Sequence, residues 1–172
     1  YIINGDVFDI ESLENLTKAR QARARVDAFE NLAAADMIEF APVKGKARRT
    51  LYVYTDIDCG YCRKMHAEVN LLTKAGIAVK YLAFPRSGLE GDSYDKAVAV
   101  WCANDRQKAL TASKAGKVVK MATCTNPVKD HYEMGEAMGI RGTPAVFSDE
   151  GEQIGGYVPA KDLIRMLTER DS

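Results

Sequence analysis

At 172 residues the chain is long enough to bury one substantial core and short for two full domains. Its 47% hydrophobic and 28% charged residues, with five prolines, exclude the disordered and collagen-like classes. Lys plus Arg (24) balance Asp plus Glu (24), so no net field recruits nucleic acid or an anionic membrane, and no nucleic-acid partner is expected.

No stretch reaches the roughly 18 consecutive apolar residues of a membrane helix. The start at Tyr1 in place of Met reads as a processed or trimmed chain. Tyr1 to Phe8 carry apolar residues around an Asn4-Gly5 turn signal. So short a strand pair needs a larger sheet, and residues 1–10 read as the remnant of an upstream domain. From Ser12, the residues Leu13, Leu16, Ala19, Ala22, Val26, Phe29 and Leu32 recur every three or four positions between charged side chains. This predicts one amphipathic helix of about 20 residues, ~30 Å long, whose apolar stripe leans on the next domain. Pro42 and Gly45 interrupt the pattern and place a boundary near residues 35–45. Residues 11–40 are therefore assigned to a linker helix and 41–172 to the main domain. The run Lys44, Lys46, Arg48 and Arg49 lacks interleaved aromatics and reads as a solvated connector.

The β-branched and aromatic run Arg49–Thr55 predicts a central strand ending at Asp56. Met65, Val69 and Leu72 give a helix from Cys59 to about Ala75, Gly76 stops it, and Ile77 to Phe84 form a second buried strand closed by Pro85. This is a βαβ unit with parallel strands. A charged helical insert follows over about residues 90–139, broken at Gly116 and at Asn126-Pro127. Ala145–Ser148 and Gln153 to Val158 flank Asp149-Glu-Gly as a hairpin, and Lys161 to Glu169 form a terminal amphipathic helix. The expected fold is α/β, with a helical insertion and a preceding linker helix.

Cys59-Gly60-Tyr61-Cys62 stands where a strand hands over to a helix, so the Cys59 sulfur faces unpaired backbone N–H groups that favour thiolate. Thiolate is both the attacking species and the better leaving group in disulfide exchange, and Cys62, one turn on, can release a trapped mixed disulfide. A Cys-X-X-Cys beside a βαβ pattern is a thioredoxin-like redox motif. The alternative is zinc held by Cys59, Cys62, His66 and a fourth ligand. It lacks a second knuckle, because Cys102 and Cys124 are 22 residues apart in a helical region. No metal and no cofactor is expected, and His66 and His131 are read as surface or packing residues. Cys102 and Cys124 suggest a structural disulfide clipping the insert, or else two buried free thiols. Gly142-Thr143-Pro144 precedes a strand; a cis Pro144 would set the Thr143 backbone beside Cys59, ready to pair with an extended substrate segment, whereas a trans one is an ordinary strand start. Asp56 is either a proton acceptor for Cys62 or a helix-entry residue, with Asp58 competing for the cap. Apolar surface around Tyr61 and Pro144 would hold a partly unfolded substrate.

Tyr54-Thr-Asp-Ile-Asp-Cys-Gly-Tyr-Cys, Tyr81-Leu-Ala-Phe-Pro-Arg-Ser-Gly-Leu, Trp101-Cys102-Ala, Asp130-His-Tyr, Gly139-Ile-Arg-Gly-Thr-Pro-Ala-Val and Gly156-Tyr157 span nearly everything after residue 45. Together with the helix before it, this stretch resembles the bacterial periplasmic disulfide isomerases of the DsbC/DsbG type, and Gly60 after the first cysteine points to the DsbC branch. The resemblance implies a thioredoxin fold with Cys59 as nucleophile and Cys62 as resolving thiol. It also implies a cis-proline loop at Thr143-Pro144 and a Cys102–Cys124 structural disulfide. By the same resemblance, residues 1–10 belong to an N-terminal dimerisation domain, the full-length protein is a homodimer, and a DsbD-like membrane protein keeps it reduced. The partners so implied are misoxidised proteins, and the compartment is the periplasm. A holdase-type chaperone and a disulfide-donating oxidant are the alternative functions.

Overall fold

The chain opens on a small hairpin. The computed structural model describes residues 2–169. Ile2–Ile3 (β1) and Asp6–Val7 (β2) pair antiparallel through Asn4 and Gly5, both at positive φ, which Asn and Gly adopt at little cost. The first helix, Leu16–Glu30 (α1), is shorter than the hydrophobic period suggests. Asn15 caps its start by accepting the Lys18 N–H at 2.9 Å, and Leu13 before it sits at φ 60° outside the helix. Asn31 closes the other end, and Ala34–Asp36 form a single 3₁₀ turn. The expected linker over residues 11–40 is thus corrected at its far end, where Ile38–Phe40 form a strand (β3) of the main sheet.

Arg49–Thr55 (β4) and Ile77–Ala83 (β5) run parallel, joined by Gly60–Ala67 (α2) and Val69–Lys74 (α3). The helix expected over 59–75 is therefore two. The break falls at Glu68, whose carboxylate is drawn to the Tyr157 hydroxyl (2.8 Å) and the Ala160 N–H (2.7 Å). Asp92–Trp101 (α4), Arg106–Lys114 (α5) and Val128–Ala137 (α6) form the insert. Ala145–Ser148 (β6) and Gln153–Gly155 (β7) make the hairpin, and Ala160–Glu169 (α7) ends the described chain. The five-stranded sheet has the order β3-β5-β4-β6-β7, with every pair but β4–β5 antiparallel.

Alternation along β4 divides the core. Leu51 and Val53 join Val79, Tyr81, Trp101, Leu110 and Leu163 on one side, while Tyr54 joins Leu82, Phe84, Phe147 and Phe29 on the other. Each such side chain, buried, contributes roughly 1.5–3 kcal/mol. Phe29 carries α1 onto the sheet by stacking on Tyr52 at 4.2 Å between ring centres.

Candidate active site

The end of β4 positions the cysteines. Thr55 is the last strand residue, residues 56–58 turn the chain, and Cys59 becomes the N-cap of α2. Its Sγ accepts the Cys62 N–H at 3.4 Å and, as a thiol, donates to the Thr143 carbonyl at 3.2 Å. Thr143-Pro144 is a cis peptide at the entry to β6, brought to this place because Ala145 pairs with Tyr54 at the same end of β4. Cys59 lies just beneath the surface. It is 2% exposed itself, but Gly60 and Tyr61 after it and Gly142 across from it are exposed. Cys62 is buried deeper, inside the first turn, and neither thiol is in a disulfide.

The surroundings push the two thiols apart. Burial raises Cys59, but the Thr143 hydroxyl, the Cys62 N–H and thiol, and the positive charge of Arg86 outweigh it, so Cys59 ionises below the ordinary thiol range. For Cys62 burial prevails and its pKa goes up, with the Lys114 charge offsetting only part. Of the two thiols, Cys59 is thus the one that ionises first.

Asp56 departs from the proton-acceptor expectation. Its buried carboxylate accepts from the Asp58 N–H (2.7 Å), the Arg86 N–H (2.8 Å) and Nε (3.2 Å), and the Ser93 hydroxyl (2.9 Å). Burial raises its pKa, yet these four donors bring it below the usual carboxylate value, leaving a saturated anion that organises the turn before α2 and the Arg86 loop. Asp58 instead pairs with Lys96 at 3.0 Å and Arg63 at 3.4 Å.

Tyr61 is 63% exposed and stacks on Tyr157 at 5.8 Å, with Lys64 Nζ 4.8 Å over the Tyr157 ring. These side chains form an aromatic rim beside Cys59. His66 and His131 are both internal. The ring nitrogens of His66 bond the Tyr81 and Thr111 hydroxyls at 3.0 and 2.9 Å, and His131 Nδ1 accepts the Ala83 N–H at 3.2 Å. Among the described residues no group of three or more His, Cys, Asp or Glu side chains could hold a metal ion. Cys102 and Cys124 are bonded to each other, with Cα atoms 5.7 Å apart, tying the end of α4 to the segment before α6. Arg86, Ser93 and Lys114 converge on the site without having been singled out from the sequence. Arg86 stood within a recognised motif, while Ser93 and Lys114 carried no signal of their own.

A thiolate at the head of a helix, with a second thiol one turn on, is the apparatus of thiol–disulfide exchange, and here a thioredoxin-like sheet carries it. The class is thus a thiol–disulfide oxidoreductase. Residues 38–170 match the family model of a thioredoxin-like domain. Over 171 residues the chain is 37% identical to the thiol:disulfide interchange protein DsbC of Escherichia coli, spanning 98% of this chain and 70% of that protein. It is 39% identical over 128 residues to DsbC of Haemophilus influenzae, 74% of this chain and 56% of that one. The crystal structure of a disulfide interchange protein from Neisseria gonorrhoeae superposes with a TM-score of 0.68 at 28% identity, covering 78% of this chain and 97% of that one. The chain belongs to the DsbC family of thiol:disulfide interchange proteins, whose activity is disulfide isomerisation and reduction in proteins that carry disulfides. Among the described residues no helix is long and apolar enough to cross a membrane.

Proposed function

We propose that Cys59 is the nucleophile that opens misplaced disulfides in other proteins. The observation carrying this is the Cys59 sulfur itself, capping α2 and touching the Thr143 carbonyl, in surroundings that lower its pKa. The Cys59 thiolate attacks one sulfur of the substrate disulfide, a Cys59–substrate bond forms, and the other substrate sulfur leaves as thiolate. When a different substrate thiolate then attacks, Cys59 is released and the disulfide has moved with no net change in electrons. When Cys62 attacks instead, the substrate leaves with both sulfurs reduced and Cys59–Cys62 becomes the disulfide. A DsbD-like membrane reductant then restores the dithiol.

The Thr143-Pro144 loop supplies backbone to an extended substrate segment, and the rim of Tyr61 and Tyr157 packs against its apolar side chains. Residues 2–10, with Ile2 75% and Ile3 54% exposed, belong to a dimerisation unit; α1 is the linker; the sheet with its helical insert is the catalytic body of a homodimer. The Cys102–Cys124 bond and the family both favour the oxidising periplasm.

Reactivation of scrambled ribonuclease tests this reading, since recovery requires isomerisation and not reduction alone. The chain is expected to exceed glutathione, and Cys59→Ala to abolish the gain. Equal recovery by Cys59→Ala would leave holdase binding as the activity.

A further inference from the structure

Lys114, the last residue of α5, is a lysine in an unusual place. It is 5% exposed, and its Nζ donates to Thr55 Oγ1 at 2.7 Å and to the Asp56 carbonyl, directly under the turn that leads into Cys59. A buried ammonium is costly without compensation, and both acceptors holding this one are neutral. They use two of its three N–H groups and leave one. Of the groups that become negative around it, the Asp56 carboxylate already has four donors from Asp58, Arg86 and Ser93. Cys59 has the Cys62 N–H, the Thr143 hydroxyl and Arg86, whereas at Cys62 burial still prevails. Lys114 is the largest influence opposing the burial that keeps Cys62 protonated.

We propose that Lys114 is a positioning residue for the resolving step, the fixed counter-charge that lets buried Cys62 ionise as it attacks the Cys59 mixed disulfide. This rests on the exchange mechanism above. In that step Cys62 gives its proton to solvent and its sulfur attacks Cys59 Sγ. The Cys59–Cys62 bond forms as the Cys59–substrate bond breaks, and the substrate sulfur departs with the electron pair.

The surrounding charges are consistent with the role. Burial brings Lys114 down to about 8, thiolates at Cys62 and Cys59 and the Asp56 carboxylate raise it, and Arg63 lowers it. His66, on the same helix as the cysteines, is pushed down to about 4 by burial and by Lys114, so it stays neutral at physiological pH and adds no competing charge. The counter-charge is present below about 8 and fades as the pH rises through that value.

The test follows the resolving step at pH 7, where Lys114 carries its charge, as single-turnover release of a peptide held on Cys59 as a mixed disulfide. Lys114→Met, similar in length and uncharged, is expected to slow release by roughly tenfold or more, and Lys114→Arg, which keeps the charge, to restore it. An unchanged release rate in a folded Lys114→Met overturns the proposal. If that variant does not fold, Lys114→Gln takes its place with the same two outcomes. Cys59 alkylation, measured in parallel on Lys114→Met, keeps the two readings apart. Its persistence leaves the nucleophile standing whatever Cys62 does.

Discussion

Thr143 Oγ1 is buried with no hydrogen-bond partner among the described residues, an omission that costs a hydroxyl about 1–3 kcal/mol. A thiolate at Cys59 gives it an acceptor, so the loop is complementary to the ionised form of the nucleophile. Thr143→Val keeps the shape and removes the donor. The pH midpoint of iodoacetamide alkylation at Cys59 is expected to rise by about one pH unit; an unmoved midpoint would remove the hydroxyl from the list of stabilising groups. Asp56 makes a different prediction. Its folded pKa lies below its unfolded one, so its contribution to stability is complete above roughly pH 4 and is lost as the pH falls through the folded value. Asp56→Asn is expected to destabilise by about 1–3 kcal/mol at neutral pH, because Arg86 and Ser93 lose a charged acceptor. It should also flatten the acid limb of the stability curve, which urea midpoints between neutral and strongly acidic pH would show.

The insert illustrates what an element owes to a crosslink. Residues between α5 and α6 form an irregular segment in which Val118 is 98% and Met121 60% exposed, so packing does little to hold it. The Cys102–Cys124 bond closes a loop with a sequence separation of 22, worth about 3 kcal/mol in the chain-entropy treatment. Replacing both cysteines by alanine is expected to lower the unfolding free energy by about that amount, read from urea unfolding, while Cys59 alkylation of the folded protein stays as it was. Elements differ in how far their own residues announce them. Strands β4 and β5 were legible because β-branched and aromatic runs are punctuated by Gly76 and Pro85, and the cysteine pair because strand, turn and helix meet at Cys59. Strand β3 was hidden, since three residues carry no period and Ile38–Phe40 are extended because β5 pairs with them. The break at Glu68 was hidden for a related reason, as the groups that recruit its carboxylate lie 89 and 92 residues further along. Lys114 reads locally as one more solvated charge on a helix, and only the tertiary fold turns it inward.

Across the whole molecule, the chemistry and the tightest linker contact sit at opposite ends of one strand, with Phe29 reaching along it to Tyr52 and Tyr54. β4 runs from Arg49, bonded to Asp149 beside the β6–β7 turn, to Thr55, beneath the cysteines, a span of ~20 Å. At the Arg49 end, α1 sits so close to the turn that a Cβ on Gly151 would lie 2.0 Å from the Ala22 carbonyl oxygen, and Gly151 is at φ 75° besides. Arg25 seals the contact, donating to the Gly151 carbonyl at 3.2 Å with its guanidinium 5.3 Å from the centre of the Phe147 ring. A side chain at 151 must therefore push α1 away from the sheet or distort the turn, whereas nothing at this end touches Cys59. Gly151→Val is expected to destabilise by about 1–3 kcal/mol and to speed hydrogen exchange along α1 relative to β4 and β5, whose amides are the deepest in the core. The pH profile of Cys59 alkylation should not move. If α1 exchange stayed slow, the linker would be held by Phe29 and Tyr52 alone; if the alkylation profile moved, the two ends of β4 would be coupled, and the separation of docking from chemistry argued from the register would be wrong.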